Sequence, residues 1–297
     1  MKKSLKDWTV ATRPWSFTAS ALSVVTALAY LEWSTSEVDW MKGIASVAAI
    51  ILFHAAGNTW SDWHDFRHGV DAADTYGVKT ITGGLFTPDE IRNLSLCLFA
   101  AASAAGLGMV LVTGWPLLWI GLAGFLCAVC YPPLKYHALG DVVILLAYGL
   151  LPALGASYAA TGEFHTAVLW AAFPVSLLVD AILHANNTRD MRTDRRAGIR
   201  TLSHGLGVRG SVMLYVIEMV LPFVWVAALV PFGIFPVWSL AVLLLSPLAF
   251  RNARAMCGYR KEEDAEKISS HDQLSAQLQL LFCLVLTLSL FADEWIR

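Results

Sequence analysis

Nine stretches of this chain are apolar over roughly the 20 residues that a bilayer crossing needs. They lie near residues 13–32, 41–65, 90–112, 115–131, 139–160, 166–188, 210–230, 234–250 and 271–292. A spanning segment in lipid must satisfy its own backbone hydrogen bonds, and segments of this length do so as helices. The expected fold is therefore an all-α, polytopic membrane bundle of about nine transmembrane helices. Composition agrees: 57% of residues are hydrophobic and 15% charged, against about 25% charged in a typical soluble chain. The fourth, seventh and eighth runs have the least regular edges, because Pro116, Pro222, Pro231, Pro236 and Pro247 fall at or near their ends.

The start, Met-Lys-Lys-Ser-Leu-Lys-Asp-Trp, is basic, but the apolar run after Arg13-Pro14 is too long for a signal-peptide core and lacks a small-x-small cleavage pattern. The first span is expected to be retained. With a cytoplasmic N-terminus, 19 of the 21 Lys and Arg residues fall on the cytoplasmic side, and only Lys42 and Arg297 fall outside. Such a bias follows the positive-inside rule. No separate soluble domain is visible, so residues 1–297 read as one transmembrane domain with polar cytoplasmic loops near 66–89 and 191–209. The five cysteines lie mostly in apolar stretches and read as packing residues. The net charge of −2 is segregated by loop and offers no reason to expect a nucleic-acid partner. The expected setting is the lipid bilayer of a bacterial cytoplasmic membrane.

Carboxylates at membrane depth are costly and rare unless something binds them. Here two acidic clusters close the second and sixth runs, on the same predicted face: Asn58 through Asp62, Asp65 and Asp71, and Asn186-Asn187 through Arg189, Asp190 and Asp194. Residues three and four apart share a helix face. His54, Asn58, Ser61, Asp62 and Asp65 thus form one stripe, and Asp180, Leu183, Asn187, Asp190 and Asp194 a second. Magnesium favours one or two carboxylates together with phosphate oxygens. The candidate metal ligands and catalytic acids are Asp62, Asp65, Asp190 and Asp194, holding Mg²⁺ against a diphosphate.

Further expected diphosphate or substrate contacts are Arg67, Lys79, Tyr131, Lys135, Asn187, Arg189 and Arg200, with Lys135 the leading cation. Arg grips phosphate through a planar fork and Lys through a point charge. Two lookalikes are set aside. Gly205-Leu-Gly207-Val-Arg-Gly210 follows no strand, so it is not a dinucleotide fingerprint. His64 and His68 are spaced for a metal, but Trp63 and the nearby Asp residues favour an interfacial or diphosphate role.

At these residues the chain resembles the UbiA superfamily of intramembrane aromatic prenyltransferases, most of all its MenA branch, the 1,4-dihydroxy-2-naphthoate polyprenyltransferases. Four segments carry the likeness: Ala11-Thr-Arg13-Pro14; Asn58-x-x-x-Asp62-x-x-Asp65-x-x-x-Gly69-x-Asp71; Asn186-Asn187-x-Arg189-Asp190-x-x-x-Asp194-x-x-x-Gly198-x-x-Thr201-Leu202; and Leu274 to Phe282. The wider family carries Asn where this chain has Ser61, and its last Asp of the first motif where this chain has Gly69; Asn58 and Asp71 fit the MenA branch instead. The resemblance implies a polyprenyl diphosphate donor, an aromatic acid acceptor and Mg²⁺. It implies loss of diphosphate, decarboxylation and a demethylmenaquinone product, made for menaquinone biosynthesis. A different acceptor, such as 4-hydroxybenzoate, fits the superfamily equally. A transporter would more often place its charges near the midplane, and a purely structural subunit leaves both clusters unexplained.

Overall fold

The computed structural model describes residues 3–70, 75–76 and 79–296. Among them the chain is helical throughout and has no β-strand. After an N-terminal helix α1 (Leu5–Ala11), it forms α2 (Phe17–Thr35), α3 (Trp40–Arg67), α4 (Pro88–Thr113), α5 (Pro116–Lys135), α6 (Gly140–Leu145) and α7 (Leu151–Thr161). There follow α8 (Leu169–Arg189), α9 (Met191–Arg196), α10 (Leu202–Leu229), α11 (Ser246–Met256) and α12 (His271–Ile296).

Local chemistry sets these boundaries. Asp39 caps α3 by accepting from the Met41 and Lys42 amides at 3.0 and 3.2 Å. Thr87 and Glu90 form a reciprocal capping box at the start of α4, with Pro88 in its first turn. Gly207 has φ 66° and breaks α10 near its start, so the lookalike glycine run is a kink.

Among the described residues, eight helical segments are long and apolar enough to cross a membrane: Pro14–Thr35, Trp40–Arg67, Pro88–Thr113, Pro116–Lys135, Gly140–Thr161, Thr166–Arg189, Leu202–Phe232 and His271–Ile296. The chain is an integral membrane protein. The eighth expected run differs. It is a 3₁₀ stretch, Val237–Leu245, leading into α11. Pro236 precedes the first part and Pro247 opens the second, and neither can continue an α-helical ladder through from before. Ser239 meets Ser289 at 3.3 Å and Asn252 meets the Leu274 carbonyl at 3.2 Å. The passage therefore runs antiparallel along α12.

α8 lies at the centre, packed on by α2, α6, α10 and α12. Its Val175, Leu178, Ala181 and Ala185 join Tyr215 and Met219 of α10 and Phe282 and Leu286 of α12 in one core. α4 and α5 instead leave Leu111, Trp119, Leu122 and Leu126 exposed, as expected of lipid-facing helices. Between α6 and α7 the helix widens to a π-helical turn, Leu146–Leu150. There Gly149 touches α8 so closely that a Cβ would lie 1.6 Å from the Ser176 hydroxyl.

Candidate functional site

α3 reaches the site with two faces. Ser61 and Asp65 line a cavity of about 1150 Å³. His54, Asn58 and Asp62, spaced by four, grip the turn that precedes α2. Asp62 pairs with the Arg13 guanidinium and accepts from Thr80 Oγ1 at 3.0 Å. Asn58 Nδ2 donates to the Thr12 carbonyl and to Ser16 Oγ, each at 3.0 Å. Arg13 itself sits in the left-handed region (φ 56°, ψ 59°), a conformation that a non-glycine residue keeps only when its surroundings impose it. The three grips from α3 supply that constraint and set Arg13 on the cavity wall.

α5 brings Tyr131 and Lys135 to the same wall. Lys135 Nζ lies 3.7 Å from Asp65 Oδ2, and Tyr136 donates its hydroxyl to Asp65 Oδ1 at 2.6 Å. The chain can turn back tightly after Lys135 because residue 140 is glycine: a Cβ there would sit 3.3 Å from the Lys135 backbone.

The second motif spans the break between α8 and α9. Arg189 holds Asp190 in a two-pronged pair, 2.8 Å at each prong. Its remaining edge meets the Ser269 carbonyl at 3.3 Å and Asp272 of α12 at 3.5 Å. The Tyr76 ring lies 4.6 Å from this guanidinium, and the Tyr76 hydroxyl donates to Glu266 at 2.8 Å. Asp194 is buried, and burial pushes its carboxyl up to about 7. Asp190 and Asp65 add to that rise, while Lys135 and Arg189 oppose it. Asp65, Asp190 and Asp194 thus gather on one wall beside Lys135 and Arg189, a hard-oxygen donor set that suits a bound cation.

Asn58, Ser61, Asp65, Tyr131, Lys135, Asn187, Arg189, Asp190 and Asp194 all line the one cavity. The other expected residues are placed differently. Asp62 is held between Arg13 and Thr80, away from the cavity wall, because its face of α3 packs on the chain before α2. Arg67, two residues beyond the last cavity residue of α3, is exposed over the Trp63 ring at 5.2 Å. Lys79 is partly buried in its loop and does not reach the wall. The Arg200 side chain is exposed, while its backbone N–H donates to the Tyr136 carbonyl at 3.2 Å. Asp180 lies against Glu218 behind the wall. Asp71 falls outside the described residues. His64 and His68 stack on each other at 5.7 Å. Among the described residues no three His, Cys, Asp or Glu side chains gather as a ready-made metal cage.

Sequence reasoning missed Arg13, His54, Tyr148 and Asp272 as cavity residues. Arg13 and His54 had a signal, since both adjoin segments singled out above. Tyr148 and Asp272 had none: the first depends on the π-turn and the second on where α12 docks.

An acid-lined polar mouth over an apolar chamber, within a bundle of membrane-spanning helices, defines an intramembrane enzyme for an amphipathic anion. The chain belongs to the UbiA prenyltransferase family, whose profile matches residues 22–285. It is 30% identical over 286 residues to UbiA prenyltransferase domain-containing protein 1 of Xenopus tropicalis, covering 94% of this chain and 80% of that protein. It is 32% identical over 258 residues to the Homo sapiens protein of the same name, covering 84% and 75%. The fold matches the apo structure of a UbiA homologue from Aeropyrum pernix K1 (TM-score 0.70, 18% identity, 93% of this chain and 98% of that one). It also matches a UbiA homologue from Archaeoglobus fulgidus bound to GPP and Mg²⁺ (TM-score 0.61, 12% identity, 95% and 99%).

Proposed function

We propose that the protein transfers a polyprenyl group from its diphosphate to 1,4-dihydroxy-2-naphthoate, releasing diphosphate and CO₂ and giving the quinol form of a demethylmenaquinone. The observation that carries the reading is the joint lining of one cavity by Asp65, Asp190, Asp194 and Lys135, above walls of apolar residues such as Leu107, Leu118, Phe125 and Leu151. The Archaeoglobus fulgidus homologue with GPP and Mg²⁺ supports the donor class. The naphthoate acceptor rests on the likeness of the two Asp motifs to the MenA branch. The Lys and Arg distribution and that likeness support a mouth facing the cytoplasm of a bacterial inner membrane.

The donor set fits Mg²⁺. It offers hard carboxylate oxygens without a closed cage, so phosphate oxygens would complete the coordination. Asp65, Asp190 and Asp194 would hold the ions, whose charge would offset that of a departing diphosphate. Lys135 meets the same anion from the α5 side. As the C–O bond breaks, its electron pair leaves with the diphosphate. The apolar chamber keeps water from the allylic cation until the electron-rich ring attacks; the C–C bond to the ring's carboxylate then breaks, its electron pair stays with the ring, and CO₂ leaves.

The test is a membrane assay with labelled polyprenyl diphosphate, Mg²⁺ and a panel of aromatic acids. Transfer to dihydroxynaphthoate is expected. Transfer to a different acid alone would remove the naphthoate assignment and keep the prenyltransferase. No transfer to any acceptor would remove both.

A further inference from the structure

Three buried histidines among the described residues stand outside the mechanism above, His54 on α3, His184 on α8 and His271 on α12, and the first two lie beside the cavity's asparagines. Each of these two lies about one helical turn before an asparagine of the cavity wall, Asn58 and Asn187 respectively. We propose that His54 and His184 are positioning residues, one in each half of the bundle, that fix these two amides with their carbonyl oxygens toward the diphosphate. The inference deepens the proposed function and rests on it.

In the first half the hydrogen-bond directions follow from the partners. The Thr12 carbonyl can only accept, so the nitrogen side of Asn58 faces it at 3.0 Å. The Ser16 hydroxyl proton goes to the Arg13 carbonyl at 2.8 Å. Ser16 Oγ is therefore left as an acceptor, for Asn58 Nδ2 at 3.0 Å and for His54 Nε2–H at 3.2 Å. With the ring proton on Nε2, His54 Nδ1 faces the Ser20 hydroxyl at 2.8 Å, which also reaches the Phe17 carbonyl at 3.2 Å. The Tyr148 ring closes edge-on at 4.7 Å and leaves the imidazole little room to turn. Both amide hydrogens of Asn58 are committed away from the cavity it lines, and its oxygen remains for a ligand.

The second half repeats the logic through a carboxyl. His184 Nε2 faces the Ser211 carbonyl at 3.1 Å and must donate to it. His184 Nδ1 lies 3.0 Å from Asp141 Oδ1. Whichever of those two atoms carries the intervening proton, Asp141 Oδ2 stays an acceptor, and it meets Asn187 Nδ2 at 3.5 Å. Asn187 is thereby turned with its oxygen to the cavity. Neither histidine contacts the reacting atoms in this scheme. Each acts through an asparagine, as the outer partners of metal and phosphate ligands do.

The test measures binding rather than turnover. Purified, monodisperse full-length protein in detergent is titrated by calorimetry with geranyl thiolodiphosphate and Mg²⁺. His54→Leu and His184→Leu are each expected to weaken binding by about tenfold or more, the usual range for removing an outer partner. His54→Gln keeps a donor for Ser16 and His184→Gln a donor for Ser211, so both should stay within about threefold by the same rule. Adding His54→Leu to Asn58→Ala, or His184→Leu to Asn187→Ala, should cost less than about a further twofold, because coupled residues do not add. Leu variants that bind as tightly as the unaltered protein would overturn the inference alone. So would Gln variants as weak as the Leu ones, or losses that multiply in the double variants. Failure of the unaltered protein to bind the analogue would remove the proposed function and the inference with it.

Discussion

Asp62 and Asp65 lie three residues apart on one helix and do different work. Asp65 faces the cavity with Lys135 and Tyr136, whereas Asp62 is shut in with Arg13 and Thr80. Asp65→Asn and Lys135→Ala should each lower kcat by at least about 100-fold with the fold intact, the scale for deleting a group that stabilises developing charge. Steady-state kinetics beside a melting curve would show it. For Asp62 the larger consequence is structural. Arg13→Ala leaves a buried carboxylate without its cation, a loss of about 3 kcal/mol, read as a lowered Tm. Asp62→Asn should soften the melting transition while retaining measurable diphosphate binding. Abolished binding in a well-folded Asp62→Asn protein would instead make Asp62 a ligand. The Asn/Asp stripes were legible in the sequence as chemistry. Which acid faces the ligand was not, because spacing by three or four cannot tell the cavity side of a helix from the side that docks on a neighbour.

At the scale of elements, apolar length alone located eight of the spans. The remaining passage, around Val237–Met256, was expected as a ninth spanning helix and is instead a 3₁₀-to-α segment, which depends on how Pro236 and Pro247 are accommodated against α12. The π-turn at Leu146–Leu150 was equally hidden, because one extra residue per turn leaves hydrophobic content unchanged. Gly149 provides its test. A methyl there meets Ser176 Oγ at 1.6 Å and Ser176 Cβ at 2.5 Å, so Gly149→Ala should destabilise by about 2 kcal/mol through overpacking. Ser176→Gly removes both atoms and should restore part of the loss, whereas Ser176→Ala, which keeps Cβ, should not. Thermal melts of the unaltered protein, Gly149→Ala and the two double variants decide between them.

For the whole molecule, the charge pattern predicts which end of the bundle faces the cytoplasm. The cavity mouth lies at the end where α3 and α8 finish, and the Glu37 turn between α2 and α3 lies at the other. In a background without the five native cysteines, an impermeant maleimide applied to intact cells should label Glu37→Cys and spare Arg260→Cys until the cells are opened. The reverse pattern would place the mouth outside. Membership of the UbiA prenyltransferase family was legible from the motifs. The joining of the two motifs in one cavity was legible only as a shared membrane face, since the sequence carries no distance between them.

The Arg189 guanidinium touches Tyr76 from the loop after α3, Asp190 at the end of α8, and Asp272 and Ser269 at the start of α12. During synthesis the last of these partners emerges only when the final helix does. A nascent chain halted before α12 already contains both acidic motifs, yet one side of its arginine has nothing to hold. The wall of the pocket is therefore complete only once α12, with Asp272, Gln273 and Ala276, has docked.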